Sequence, residues 1–216
     1  MAYTLVIGNK NYSSWSLRPW LVLKQAGLTF DEVGIPLQTL ESRAQRLAYS
    51  PAGKVPVLVD GDITVWDSLA ICEYLAERHA DLWPQSAVER AFARSISAEM
   101  HSGFMDLRTH MPMNCRKTFP GKGDTPEVMR DIARIIAIWE DCRARHTEAG
   151  PFLFGHFTIA DAMYAPVVLR FRTYAVELPA VSQAYADAII ALPAMQEWLT
   201  AAQVEAETIP QFEPYS

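Results

Sequence analysis

The stretch that most limits how this chain can fold is Lys54-Val55-Pro56-Val57-Leu58, with Asp67-Ser68 a short distance downstream. Proline cannot donate to a β-ladder, so it enters a strand only at an edge, a bulge or the first residue. A Val-Pro bond at such a corner is also a candidate for the cis form. The corner would leave the backbone N–H and C=O of Val55 without ladder partners and free to pair with an extended peptide. Asp60-Gly61-Asp62 then reads as a turn and Ile63-Thr64-Val65-Trp66 as a second strand. Asp67-Ser68 opens a helix whose first N–H groups favour a carboxylate. Together these residues suggest a pocket for a small acidic peptide.

At 216 residues the chain can bury a substantial core as one domain or two. Its net charge of −6 argues against a nucleic-acid surface, which needs a basic stripe. No apolar run approaches the roughly 18 residues of a membrane span. Tyr3-Thr4-Leu5-Val6-Ile7 is strand-like and lacks the basic start of a signal peptide. Cys72, Cys115 and Cys142 are widely spaced and suit reduced thiols in a cytoplasmic setting. The histidines are scattered without metal-ligand spacing, so no metal site is expected.

The first 80 residues alternate strand and helix patterns. Residues 3–7 read as a strand, 14–26 as a helix stopped by Gly27, 29–35 as a strand and 40–48 as a weak helix. The two strands around Asp60-Gly61 and a helix over 68–79 follow. This βαβαββα order predicts a small mixed sheet covered by helices. Residues 81–86 read as a connector. Beyond it only helical periods occur, over about 87–111, 126–147, 159–174, 181–191 and 193–202, punctuated by glycine and proline. The expected organisation is an α/β domain over 1–80, a linker over 81–86 and an all-α domain over 87–216.

Three places carry candidate chemistry. Tyr12-Ser13-Ser14-Trp15-Ser16 lies between the first strand and helix; its hydroxyls either cap the helix or donate to an anion there. Thr158-Ile159-Ala160-Asp161 has the form of a capping box, with Asp161 a buried carboxylate tied to backbone N–H groups rather than a catalyst. Met105, Arg108, Met111, Cys115 and Arg116 could line a cleft, although methionine equally fills cores. His101 reads as a hydrogen-bonded, partly buried histidine. Arg170 and Arg172 could bind an acidic substrate, but an ordinary ion pair within the helical half is the plainer explanation.

In this order and spacing, the pieces resemble the soluble glutathione transferase superfamily over nearly the whole chain. Ser13-Ser14-Trp15-Ser16-Leu17-Arg18 is similar to the serine-first segment of the zeta and tau classes, where the active serine stands five residues before an arginine. That offset selects Ser13. Val55-Pro56 matches the family's cis-proline, Asp67-Ser68 its acidic-Ser pair, and Gly155-x-x-Thr158-x-Ala160-Asp161 its folding motif. The resemblance implies a thioredoxin-like N-terminal domain and a helical C-terminal domain that forms the electrophile site and part of a homodimer interface.

It also implies roles. Val55 would pair through its backbone with the cysteinyl part of glutathione, the co-substrate. Ser68 would hold the γ-glutamyl carboxylate, Asp67 the ammonium and Lys54 the glycyl carboxylate. Ser13 would hydrogen-bond the thiolate, with Ser14 or Ser16 as the alternative donor. Tyr12, Trp15, Met105, Arg108 and Met111 would line the electrophile site. The implied reaction is conjugation of glutathione to a hydrophobic electrophile. The alternatives are a glutathione-dependent isomerase of a dicarboxylate, of the maleylacetoacetate type, and a non-catalytic binding module. Three departures stand out: Trp15 occupies the zeta-class cysteine position, Pro19 follows the arginine, and Thr173 stands where zeta members carry a substrate-binding arginine.

Overall fold

The computed structural model describes residues 3–216, with the side chain of Leu40 excepted; residues 1 and 2 of the expected first domain lie outside it. The first half contains β1 (Tyr3–Ile7), α1 (Ser14–Gln25), β2 (Phe30–Gly34), α2 (Leu40–Tyr49), β3 (Val57–Asp60), β4 (Ile63–Trp66) and α3 (Ser68–Ala76). The strands form one sheet in the order β2-β1-β3-β4. β1 and β2 run parallel across the α1 crossover, whereas β3 pairs antiparallel with β1 and β4. Alternation along β1 decides its two faces. Leu5 and Ile7 join the main core under α1 and α3, while Val6 joins Val57 and Ile35 on the opposite face.

The second half contains α4 (Ala87–Ser102), α5 (Met105–His110), α6 (Pro126–His146), α7 (Ile159–Tyr174), α8 (Ala180–Ala191) and α9 (Pro193–Gln203). α7 is its axis and is buried along almost its whole length, Arg172 being the exposed exception. It packs against α1 and α4, so one apolar core runs from the sheet into the helices. Among the described residues, no helix is long and apolar enough to cross a membrane.

Two details depart from the helical periodicity. The single helix expected over 87–111 is broken in two, with Gly103 extended and Phe104 left-handed at φ 59°. A side chain at Gly103 would meet the Glu99 carbonyl at 2.8 Å, so the break requires glycine. Arg108 from α5 folds back and donates to the carbonyls of Met100, His101 and Gly103, satisfying groups that the end of α4 leaves open. α1, in turn, starts at Ser14 and continues through the buried Pro19.

Candidate active site

The Val55-Pro56 bond is cis. Among the described residues, neither the N–H nor the C=O of Val55 has a hydrogen-bond partner. A cavity of about 410 Å³ opens over this corner, between Lys54 and Trp66 on its rim and Asp67 and Ser68 at its end. Asp67 holds a left-handed backbone at φ 76°, a conformation costly for a residue other than glycine. Its Oδ1 offsets that cost by capping α3, accepting from the N–H groups of Leu69 (2.9 Å) and Ala70 (3.3 Å). Ser68 is left with a buried hydroxyl that has no partner. Its N–H, also unpaired, sits in the first turn of the helix.

The second Asp67 oxygen accepts from His101 Nε2 at 3.2 Å, across the junction of the two halves. Burial lowers the His101 pKa, and the neighbouring arginines lower it further against the opposing pull of Asp67. The imidazole is therefore neutral at pH 7, with its proton on Nε2 and an unpartnered Nδ1. The neutral imidazole leaves Asp67 without a cationic partner there.

At the start of α1, Ser13 is the N-cap, its Oγ accepting from the Ser16 N–H at 3.4 Å. The Ser13 and Ser16 oxygens lie 2.7 Å apart. Ser16 is fully buried and already accepts from the Gly8 N–H at 3.1 Å. Among the described residues, the only acceptor within reach of its own proton is Ser13 Oγ. Ser13 Oγ donates to Ser16 Oγ, but a hydroxyl pair can be donated in either sense: once an anion takes the Ser13 proton, Ser16 donates to Ser13 instead. The Ser13 proton can thus be turned to an anion, from an oxygen that lines a second cavity. Ser14 lines the same cavity, where its Oγ lies 3.4 Å from Arg170 Nη2. Ser16 faces neither cavity.

The second cavity has a volume of about 530 Å³ and shares Trp15, Lys54 and Val55 with the first. One wall is a C-terminal segment that folds back over α1. Phe212 stacks on Tyr12, with ring centroids 5.7 Å apart. Behind it the buried Glu213 accepts from Tyr12 Oη (2.6 Å), Lys117 Nζ (2.6 Å) and Asn114 Nδ2 (3.2 Å). Burial pushes the Glu213 carboxyl up, but these donors and Ser216 outweigh it and hold the pKa at about 2. The Tyr12 hydroxyl also accepts from Arg116 and the Ile209 N–H, so it is committed to the segment rather than to the cavity.

The opposite wall is cationic. Arg46, Lys54, Arg108 and Arg170 line the cavity, and none of its lining residues is acidic. Arg170 donates to the Met111 and Pro166 carbonyls. Burial and the nearby Arg108 push it down to about 9, still a cation at neutral pH. Arg18 lies behind it, fully buried with no partner on any guanidinium nitrogen. Arg18 and Arg108 stand 4.3 and 4.7 Å from the centroid of the Trp15 ring.

Residues 12–78 match the family description "Glutathione S-transferase, N-terminal domain", and residues 87–201 match "Glutathione S-transferase, C-terminal domain". The chain belongs to the glutathione S-transferase family. It is 31% identical to the maleylacetoacetate isomerase of Rhizobium meliloti over 191 residues, 83% of this chain and 87% of that one. It is 29% identical to glutathione S-transferase 3 of Zea mays over 195 residues, 83% of this chain and 86% of that one. Glutathione S-transferase 1 of Zea mays aligns over a similar length, 193 residues, whereas several other relatives align over shorter stretches, one of them over 44% of its own length. A glutathione transferase homologue from Burkholderia GL BGR1, solved with bound glutathione, superposes with a TM-score of 0.73 at 22% identity, covering 95% of this chain and all of that one.

Within this transferase fold, Ser13, Ser14, Tyr12, Trp15 and Arg108 gather in the outer cavity, and Pro56, Asp67 and Ser68 in the inner one. Two expected cleft residues lie elsewhere. Met105 is 63% exposed and lines neither cavity, although Arg108 on the same helix lines the outer one. Met111 is buried and borders a separate cavity with Gly121 and Ile132. Among the described residues Arg170 lacks the expected ion-pair partner: its hydrogen bonds go to carbonyls and a hydroxyl instead. Arg170 is the arginine of α7 that reaches the cleft, whereas Arg172 is exposed. Arg170 stands one helical turn before Thr173 and therefore on nearly the same face. Asp161 makes the contacts expected of a buried cap, accepting from the N–H groups of Leu153 (3.0 Å) and Thr158 (2.8 Å). Met113, Gln211 and Phe212 enter the cavity without a sequence signal, since nothing local marks the C-terminal segment as folding back.

Proposed function

We propose that the protein is a glutathione transferase in which Ser13 stabilises the glutathione thiolate for attack on an electrophile held in the outer cavity. The observation that carries this reading is the Ser13 hydroxyl: it caps the N-terminus of α1, its proton can turn to an anion while Ser16 donates to it, and it lines the outer cavity, which shares Trp15, Lys54 and Val55 with the inner one. Glutathione fits the inner cavity chemically. The open N–H and C=O of Val55 suit its peptide backbone. The orphaned Ser68 hydroxyl and N–H suit the γ-glutamyl carboxylate, the Asp67 charge suits the ammonium, and Lys54 suits the glycyl carboxylate. A free thiol has a pKa of ~8.5, and lowering it by ~2 units corresponds to ~2.7 kcal/mol. One hydroxyl bond to a charged group supplies ~1.5–3 kcal/mol, and a helix N-terminus adds ~0.3–1 kcal/mol. The account therefore closes on Ser13 and α1. A cytoplasmic homodimer, divided near residues 81–86, is part of the proposal.

A second reading is a glutathione-dependent isomerase of an unsaturated diacid. The cationic wall of the outer cavity favours it, as does the similarity to a protein named maleylacetoacetate isomerase. Incubation with glutathione, neutral aryl halides and unsaturated diacids separates the readings by product mass. A conjugate that retains the glutathionyl sulfur supports the transferase. A diacid converted to an isomer of unchanged mass supports the isomerase. Glutathione binding without either product contradicts both and favours a binding module.

A further inference from the structure

We propose that the molecule attacked by the thiolate carries a carboxylate, which docks against Arg108 and Arg170 while its apolar body lies on Trp15, Tyr12 and Phe212. This deepens the transferase reading and rests on it for the reaction, but not for the binding site. The outer cavity places four cations on its wall in a chain whose net charge is −6, with no acidic residue lining it. Among the described residues none of the four forms an ion pair.

Arg108 and Arg170 are fixed in place by backbone carbonyls, which orient a guanidinium without cancelling its charge. Arg108 also retains a buried Nη1 with no partner. Carboxylates do lie nearby, but each is engaged elsewhere. Asp131 accepts from the Leu107 N–H, Asp67 caps α3, and Glu213 is paired with Lys117. What remains is an oriented positive field with a donor to spare, the arrangement that recognises a carboxylate. The aromatic floor and the Tyr12–Phe212 wall suit a flat body attached to it.

A matched pair of probes reads this directly: a chloronitrobenzoate and the corresponding chloronitrobenzamide, which differ only in the charge of the head group. In both, thiolate attack forms a C–S bond and chloride leaves with the C–Cl electron pair, the thiol proton having passed to solvent. Binding of each is measured first, with S-methylglutathione present so that no reaction occurs. The expected result is roughly ten- to hundred-fold tighter binding of the acid, the range of a charge-assisted hydrogen bond. Arg108→Met and Arg170→Met should erase most of that preference while leaving amide binding within about twofold. In turnover the same variants should raise KM for the acid and leave the bound thiol pKa unchanged. Equal binding of acid and amide by the wild type overturns the proposal without recourse to any variant. It is equally overturned if the arginine variants raise the thiol pKa and affect both probes alike, since the cations then serve the thiolate. A wild type that prefers the acid but never ionises glutathione upholds the carboxylate site and contradicts the transferase reading instead.

Discussion

The inner corner and the outer cavity share Trp15, Lys54 and Val55, yet they are built on opposite plans. The corner is short in sequence: its open backbone at Val55, its helix cap at Asp67 and its orphaned hydroxyl at Ser68 flank one β-hairpin. It presents hydrogen-bonding groups with fixed directions, which suit one invariant peptide. The outer cavity draws on the α1 start, α5, α7 and a C-terminal segment some 200 positions from Tyr12. It presents guanidiniums and aromatic faces. The difference teaches that directed hydrogen bonding can be carried by a compact local frame, while a charged and aromatic cavity is assembled from distant elements.

The largest way to break this contrast is through Glu213, which anchors the outer wall and touches nothing in the corner. Its folded-state pKa of about 2 lies below the ordinary carboxylate value. Its stabilisation is therefore present in full above pH ~4.3 and is lost as the pH falls toward 2. A shift of that size is worth on the order of 3 kcal/mol. Glu213→Gln should reduce stability at pH 7 by a comparable amount in a urea titration. It should also expose the C-terminal segment to proteolysis while leaving glutathione affinity within about twofold. Loss of glutathione binding in this variant would show that the two regions are not separable.

A smaller effect should appear on the other side. Ser68→Ala removes the orphaned hydroxyl from the corner and should weaken glutathione binding roughly tenfold in a calorimetric titration, about 1.4 kcal/mol. The acid-over-amide preference of the outer cavity should not change. Smaller still is Ser16→Ala, which leaves Ser13 in place but takes away the proton that orients it. The bound thiol pKa should rise by roughly half a unit, less than 1 kcal/mol. The double variant with Ser13→Ala should match Ser13→Ala alone, because Ser16 acts only through Ser13. Additive shifts would mean that Ser16 reaches the thiol by another route.

The same contrast explains what could be read from the chain. Val55-Pro56, Asp67-Ser68 and Thr158–Asp161 are legible because each does its work within a few residues, through a missing N–H, a cap or a turn. The break at Gly103–Phe104 was concealed by a continuous helical period, and a single glycine decided it. On that unbroken period Met105 and Met111 read as cleft residues. Arg170 was legible in principle, one turn before Thr173, but its lack of a carboxylate partner depends on what α1 and α5 bring beside it. The Tyr12–Glu213 contact joins segments with no shared pattern, and only the packed fold brings them together.

The central claim is that the Ser13 hydroxyl, backed by Ser16 and lining the outer cavity, ionises the bound thiol. Thiolate absorbance of bound glutathione, followed against pH in the wild type and in Ser13→Ala, tests it most directly. The account predicts a pKa about two units below that of free glutathione in the wild type and a near-normal value in the variant, with binding retained. An equally depressed pKa in both would contradict it and pass the role to Ser14, the other serine of this segment that lines the cavity, beside Arg170.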